Sequence, residues 1–257
     1  MMRKLKITNM SSVAIIYRRK NPKQIFIEIK DDEHPIKLVR RQLCPIGGNW
    51  IGESAKADKT PFDTLEREIN EELSFERSIR NTLELQQLGQ AESVDLRPTI
   101  ISTENPTERD LSDLKILKKE IIKRCNPFGM YFNTVTKKAL DSADTNNTRN
   151  GFTSLVSYYT SGLCEKCWHI LRRLQKKFGN LSNESITVIT DLEDILRVKT
   201  MIAFGHDHVL KHLFQRRYSE ADKLIMVPNI ESKFFTSDMN RTYEEYLEIF
   251  DVLHQPK

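Results

Sequence analysis

The stretch Thr60-Pro61-Phe62-Asp63-Thr64-Leu65-Glu66-Arg67-Glu68-Ile69-Asn70-Glu71-Glu72-Leu73-Ser74-Phe75 decides the reading of this 257-residue chain. Thr60 is a natural N-cap, Pro61 suits the first helical position because it has no amide to donate, and Asp63 is placed to answer the cap. A helix begun earlier would carry Pro61 in its interior at about 3 kcal/mol. The pattern therefore predicts a helix from Thr60-Pro61 to about Leu73. Phe62, Leu65, Ile69 and Leu73 form its apolar stripe, and Glu68, Glu71 and Glu72 stand together on another, expected to be exposed. Such neighbouring carboxylates repel by about 0.2–0.5 kcal/mol per pair, which a cation would relieve.

Working outward, Ser12 to Tyr17 and Gln24 to Lys30 read as strands around a turn at Asn21-Pro22, with Ile25, Ile27 and Ile29 alternating with Phe26 and Glu28. A third extended run near Leu38 to Cys44 ends at Pro45-Ile46-Gly47-Gly48. Downstream, Glu108 to Cys125 is an amphipathic helix with Leu111, Leu114, Leu117 and Ile121 inward and Lys115, Lys118, Lys119, Lys123 and Arg124 on its wet side. Phe128 to Val135 and Ser154 to Thr160 read as strands, and the polar Lys137 to Asn150 between them as a loop. A basic helix from about Cys164 to Phe178 ends at Gly179, Ile186 to Thr190 is a short strand, and Asp191 to Leu196 a helical turn. Thr200 to Arg217 and Tyr243 to Leu253 are the last expected helices.

Arg67-Glu68-Ile69-x-Glu71-Glu72 resembles the core of the Nudix box, and Gly47, five residues and Glu53 reproduce its first half. Thirteen residues separate Glu53 from Arg67 where the box has seven, so Ser54 to Lys59 reads as a surface insertion, and strict counting lands on Lys59. Closing a longer loop is cheap, since each doubling in length costs about 0.6 kcal/mol. Ser74 stands where the box usually has glycine after the helix. The resemblance implies an α/β/α sandwich with a mixed sheet, as one domain over 1–257. It would carry an inserted helical region at about 104–182 and a C-terminal helical extension at about 218–257.

The same resemblance implies a pyrophosphohydrolase cleaving a nucleoside diphosphate linked to another moiety, dependent on Mg2+ or Mn2+. Glu68, Glu71 and Glu72 would hold the metal, joined by Glu184 from just before the strand Ile186 to Thr190, with Glu92 and Glu165 as rivals. Arg67 would orient the carboxylates, and Gly47, Gly48 and Glu53 would line the substrate side, with Glu53 rather than Lys59 facing Arg67. The chemistry is coherent without a family name: clustered carboxylates are hard oxygen ligands of the kind Mg2+ takes, and a divalent ion offsets the charge of a phosphoanhydride. Three helical glutamates alone would be an acidic solvated face; the Gly-Gly loop, helix start and strand order favour a site. The alternative is a Nudix-like module that binds a nucleotide or protein partner without turnover. A capped-RNA substrate is suggested only by the basic helices.

Forty Lys plus Arg against 36 Asp plus Glu give +4, and mean hydropathy is −0.51, so no apolar run approaches the roughly 20 residues of a membrane span. The apolar run Val13 to Tyr17 is too short for a signal-peptide core, and a cytoplasmic protein is expected. The cysteines Cys44, Cys125, Cys164 and Cys167 are too sparse for a disulfide framework. Cys164-x2-Cys167 with His169 lacks the four ligands of structural zinc and reads as inert thiols on a helix. His206, His208 and His212 include a helical i, i+4 pair, but no glutamate lies inside it as in a metallopeptidase. Ala203 to Leu210 instead resembles the closing C-terminal helix of Nudix domains, where Asp207 and His208 would cap or pack.

Overall fold

A computed structural model of the chain describes residues 9–30, 34, 40, 42–51, 58–75, 105–135, 152–197, 202–203, 206 and 209–210. It is an α/β structure built on a seven-stranded mixed sheet. The strands are β1 (Asn9–Arg18), β2 (Asn21–Lys30), β3 (Leu43–Cys44), β4 (Ile46–Asn49), β5 (Cys125–Val135), β6 (Phe152–Leu163) and β7 (Ser185–Asp191). The helices are α1 (Pro61–Glu72), α2 (Glu108–Lys123), α3 (Glu165–Phe178) and α4 (Leu192–Arg197).

The β1–β2 hairpin sets the sheet. Its strands pair only near the turn, at Arg18↔Asn21, Tyr17↔Ile25 and Ile16↔Phe26, and then part. The β3–β4 segment fills the fork: β3 pairs with β2 at Glu28↔Cys44, and β4 pairs with β1 from Ser11↔Asn49 to Ala14↔Ile46. β6 runs parallel to β1 along its other edge, and β7 runs antiparallel to β2. β5 and β6 make a long antiparallel pair. The region 104–182 holds the two strands expected within it, and β6 lies beside β1 with Leu155, Val156, Tyr158 and Tyr159 buried.

Period-two alternation gives the sheet two apolar faces. Ala14, Ile16 and Phe26 join Leu65, Ile69 and Leu73 of α1, Leu114, Leu117 and Ile121 of α2, and Trp168, Leu171 and Leu174 of α3. Val13, Ile15, Ile25, Ile27 and Ile29 face the opposite way, with Leu192, Ile202, Val209 and Leu210. Glu28 and Lys30 share the parity of Phe26, which puts two charged side chains on the α1 face.

The helix ends follow the sequence signals. Thr60 caps α1 in a reciprocal box, Thr60 Oγ1 accepting from Asp63 N at 3.1 Å and Asp63 Oδ2 from Thr60 N at 2.9 Å. Gly179 ends α3 at φ 74°. Leu111 departs from the expected stripe of α2 and is exposed, because Asp110 takes the inward position. Asp110 is held by Arg173 Nη1 and Lys177 Nζ, each at 2.7 Å. Arg173 and Lys177 of the basic face of α3 are thereby neutralised from within the fold.

The chain leaves α1 through an extended Leu73 bridged to Ser182, and Ser74 N donates to Leu181 O at 3.0 Å. That strand-like exit accounts for serine at a position where the box usually has glycine. The loop Lys137 to Asn150, the C-terminal extension 218–257 and most of the expected helices Thr200 to Arg217 and Tyr243 to Leu253 lie outside the described residues. Among the described residues no helix is long and apolar enough to cross a membrane.

Gly47 is the sharpest steric constraint in the fork. At φ +143° a Cβ there would lie 2.1 Å from Ser12 O and 2.7 Å from Val13 Cα, both backbone atoms of β1. Gly47→Ala is therefore expected to destabilise the protein by about 2–5 kcal/mol, combining backbone strain with overpacking. Urea denaturation at constant slope would measure it, and an unchanged midpoint would contradict this placement.

Candidate active site

α1 lies over the fork, and its position is fixed by one arginine. Arg67 donates from Nε to Asp58 Oδ1 at 3.2 Å and from Nη2 to Asp58 Oδ2 at 3.1 Å. Nη2 also reaches Asn49 O at 2.7 Å, while Nη1 meets Glu68 Oε1 at 2.7 Å and Glu71 Oε2 at 2.9 Å. A forked guanidinium suits this task because its donors are coplanar and rigid. One side chain thus ties the end of β4, the loop before α1 and two helix carboxylates together.

Asp58 is the carboxylate that meets Arg67; Glu53, expected to face Arg67, lies outside the described residues. Its carboxylate is buried and also accepts from Thr64 Oγ1 at 2.9 Å and Ile51 N at 3.1 Å. Asp58 N donates to Ile51 O at 3.0 Å, and Trp50 Nε1 to Asp58 O at 2.8 Å, so the described residues on either side of 52–57 are tied together. Lys59 stays outside this arrangement, donating its backbone N–H to Asp63 Oδ2 at 3.0 Å. The helix begins after Thr60 as expected, but Ser54 to Lys59 is not wholly dispensable, since it includes Asp58. The signal was one residue away from strict counting and was carried by aspartate rather than glutamate.

The three helix glutamates occupy different depths. Glu71 is exposed, Glu68 is partly buried, and Glu72 is only 2% exposed, contrary to the expected exposed position. Glu72 points into the fork, where its Oε2 accepts from Gly47 N at 3.1 Å. Gly48 brings its backbone against Glu68: a Cβ there would stand 2.5 Å from the carboxylate. Gly48 thus leaves room for the Glu68 carboxylate, while Gly47 offers its amide to Glu72.

Beneath α1, β2 contributes Glu28 and Lys30, which the sequence reading passed over as alternating strand residues. Lys30 Nζ pairs with Glu28 Oε1 and lies 3.7 Å from Glu72 Oε1, and Ser185 Oγ donates to Glu28 Oε2 at 2.7 Å. All of these groups are buried. The signal was present in the parity of β2, since a buried face carrying Glu28 and Lys30 needs each charge answered.

Glu184 is exposed, and its charge reaches both Glu68 and Glu72. It is brought there by Ser182, whose Oγ accepts from Glu184 N at 3.2 Å, and by Asn183 N donating to Glu72 O at 3.2 Å. Glu165 pairs with Arg18 at 2.5 Å at the start of α3. Glu92, Asp207, His208 and His212 lie outside the described residues. His206 is buried, with Nδ1 2.6 Å from Tyr158 OH, as a packed core histidine would be.

Burial pushes Glu72 well above the ordinary carboxylate value, reinforced by Glu28, Glu68 and Glu184 and opposed by Lys30. Burial likewise raises Glu68, with Arg67 opposing. Lys30 is held well above its ordinary value: its desolvation is outweighed by Glu28, Cys44 and Glu72. The cluster is thus short of positive charge. Among the described residues no three acidic, thiol or imidazole groups already converge in a metal-binding arrangement. The donor set of Glu68, Glu71, Glu72 and Glu184 nevertheless consists of hard oxygens with a charge deficit, which fits Mg2+ or Mn2+ rather than a thiophilic ion.

Compared with known protein families, the chain matches none, and no curated protein matches it. The likeness to the Nudix box rests on the residues quoted above.

The raised Glu72 gives a signed stability prediction. Below pH 4.5 the side chain is protonated whether the chain is folded or not; above it the unfolded chain loses the proton first, so this contribution to stability falls as pH rises toward the folded value. In chelator-treated protein, Glu72→Gln is expected to raise the urea midpoint above pH 4.5 and to flatten that fall. The same fall persisting in the variant would place the titration elsewhere.

Proposed function

We propose that the chain is a Nudix-type hydrolase, dependent on Mg2+ or Mn2+, that cleaves the phosphoanhydride of a nucleoside diphosphate linked to another moiety. The observation that carries this reading is Arg67, bound to Asp58 on one side and to Glu68 and Glu71 on the other, on a helix whose Glu72 meets the Gly47 amide. Glu68, Glu71, Glu72 and Glu184 would hold the metal. When bound, the ion shields phosphate charge and acidifies a water.

The protein's own part is positioning and charge. Arg67 restricts the rotamers of Glu68 and Glu71, so that ligands are oriented before binding, and Asp58 keeps the guanidinium from swinging toward solvent. The small Gly48 leaves room for Glu68 beside β4. One of the cluster's glutamates accepts the proton of the attacking water. Specificity for the second moiety would come from segments outside the box, since a fold does not select a substrate.

A second reading, a module that binds a nucleotide or partner without turnover, is favoured by one observation. Lys30 already places an ammonium between Glu28 and Glu72, supplying internally part of the charge a metal would bring.

Incubation with ADP-ribose, dinucleotides, dinucleoside polyphosphates, nucleoside triphosphates and capped RNA, with Mg2+ or Mn2+ and with chelator, separates the two. Metal-dependent turnover of at least one member is expected, abolished by Glu72→Gln. Asp58→Asn is expected to lower turnover or metal affinity about 10–100-fold, as loss of a group that orients ligands does. Folded protein that turns over no member of the panel would favour the binding reading, and wild-type rates in Glu72→Gln at saturating metal would remove the site. A capped-RNA substrate would also show affinity falling steeply with salt.

A further inference from the structure

The four cysteines differ sharply in environment. Cys44 is buried in the sheet, with its thiol pushed up to about 12 by burial, and burial does the same to Cys125. Cys164 instead is the partly exposed N-cap of α3, and Cys167 lies buried in the first turn of that fourteen-residue helix. Their sulfurs are hydrogen-bonded at 3.4 Å. Arg124, at the C-cap of α2, places a guanidinium whose charge acts on both. The Cys167 amide, Arg124 and the Lys166 amide hold Cys164 below the ordinary thiol value against some desolvation, whereas burial raises Cys167 to about 11.

We propose that Cys164 and Cys167 form a redox-active dithiol that exchanges with low-molecular-weight disulfides, Cys164 being the attacking and Cys167 the resolving thiol. The two sulfurs need approach by only about 1.4 Å to reach the roughly 2.0 Å of an S–S bond. The N-cap residue lies outside the helical dihedrals, at φ −66° and ψ 163°, so Cys164 can adjust without unwinding α3. Asymmetry is what such exchange requires: an exposed thiolate attacks, and a protected thiol waits beside it.

The chemistry balances in two steps. Cys164 thiolate attacks one sulfur of a disulfide RSSR; the Cys164–SR bond forms as the RS–SR bond breaks, and RS− leaves and takes a proton. Cys167 then loses its proton and attacks the Cys164 sulfur, forming Cys164–Cys167 and expelling the second RS−, which is protonated to RSH. The protein gives up two electrons and two protons, and RSSR becomes two RSH. The reverse reaction with excess thiol restores the dithiol.

The test uses the full chain, reduced, freed of reductant, treated with oxidised glutathione, quenched in acid and mapped by peptide mass spectrometry. Wild type is expected to yield a Cys164–Cys167 disulfide, lighter by two hydrogens. Cys167→Ser is expected to stop at a glutathione adduct on Cys164. Cys164→Ser, which keeps a good N-cap, is expected to lose reaction at both positions. Timed alkylation of untreated protein should label Cys164 at least about tenfold faster than Cys44 or Cys125. The proposal is overturned if Cys164 stays unmodified in folded wild type, if its glutathione adduct persists there without an internal disulfide, or if Cys44 or Cys125 reacts first.

Discussion

The Arg67–Asp58 pair is the constraint on which the rest of the site depends. α1 begins three residues after Asp58, and its apolar stripe Leu65, Ile69 and Leu73 packs on the sheet. A guanidinium partly withdrawn from water must also be met on several sides at once. Asp58 meets two donors, Asn49 O meets one of the same nitrogens, and Glu68 and Glu71 take the other terminal nitrogen. With α1 held in this way, Glu72 is turned inward rather than outward. The buried charges of β2 then find their partner, and the fork between β1 and β2 closes over Gly47.

Burying Glu28, Lys30 and Glu72 together is poor use of a core if stability is the only aim, because desolvation of each charge amounts to several kcal/mol and well-packed apolar residues would often do better. Such a cluster is readily understood as a site kept at a cost to the fold. Burial raises Glu68 and Glu72 in the same fork, a perturbation that functional sites share with structural ion-pair networks. The bulk of the stability must come from elsewhere, from the two apolar faces of the sheet and the helices laid on the first of them.

Local signals were the most legible part of the sequence. The α1 start, the Gly179 cap and the alternation of β1 and β2 each depend on residues within a few positions, and the structure realises all of them. The candidate site was legible where its residues share one helix or one short strand: Arg67, Glu68, Glu71, Glu72, Gly47 and Gly48. It was not legible where partners come from separate elements. Asp58 was obscured by a one-residue shift in spacing, and Glu28 and Lys30 by an alternation that gives parity but not depth. The exposure expected of Glu72 failed for a related reason, since helical periodicity places three glutamates side by side without saying which of them lies over a gap in the sheet.

Glu184 was placed by order along the chain alone, and the structure supplies the physical means. α3 is pinned at its start by the Arg18–Glu165 pair and along its length by Asp110, whose carboxylate Arg173 and Lys177 hold below the ordinary range despite its desolvation. At its end, Gln175 Nε2 donates to Gly179 O and Thr187 O, and Asn180 Oδ1 accepts from Ser182 N and Thr187 N. That net turns the chain tightly from helix into β7, and Ser182 and Asn183 attach the turn to the exit of α1. Glu184 is therefore located by backbone hydrogen bonds on both sides of it, although its side chain is exposed. A short polar turn between a clamped helix and a strand thus fixes the backbone that carries Glu184, whose exposed carboxylate acts on Glu68 and Glu72 by its charge.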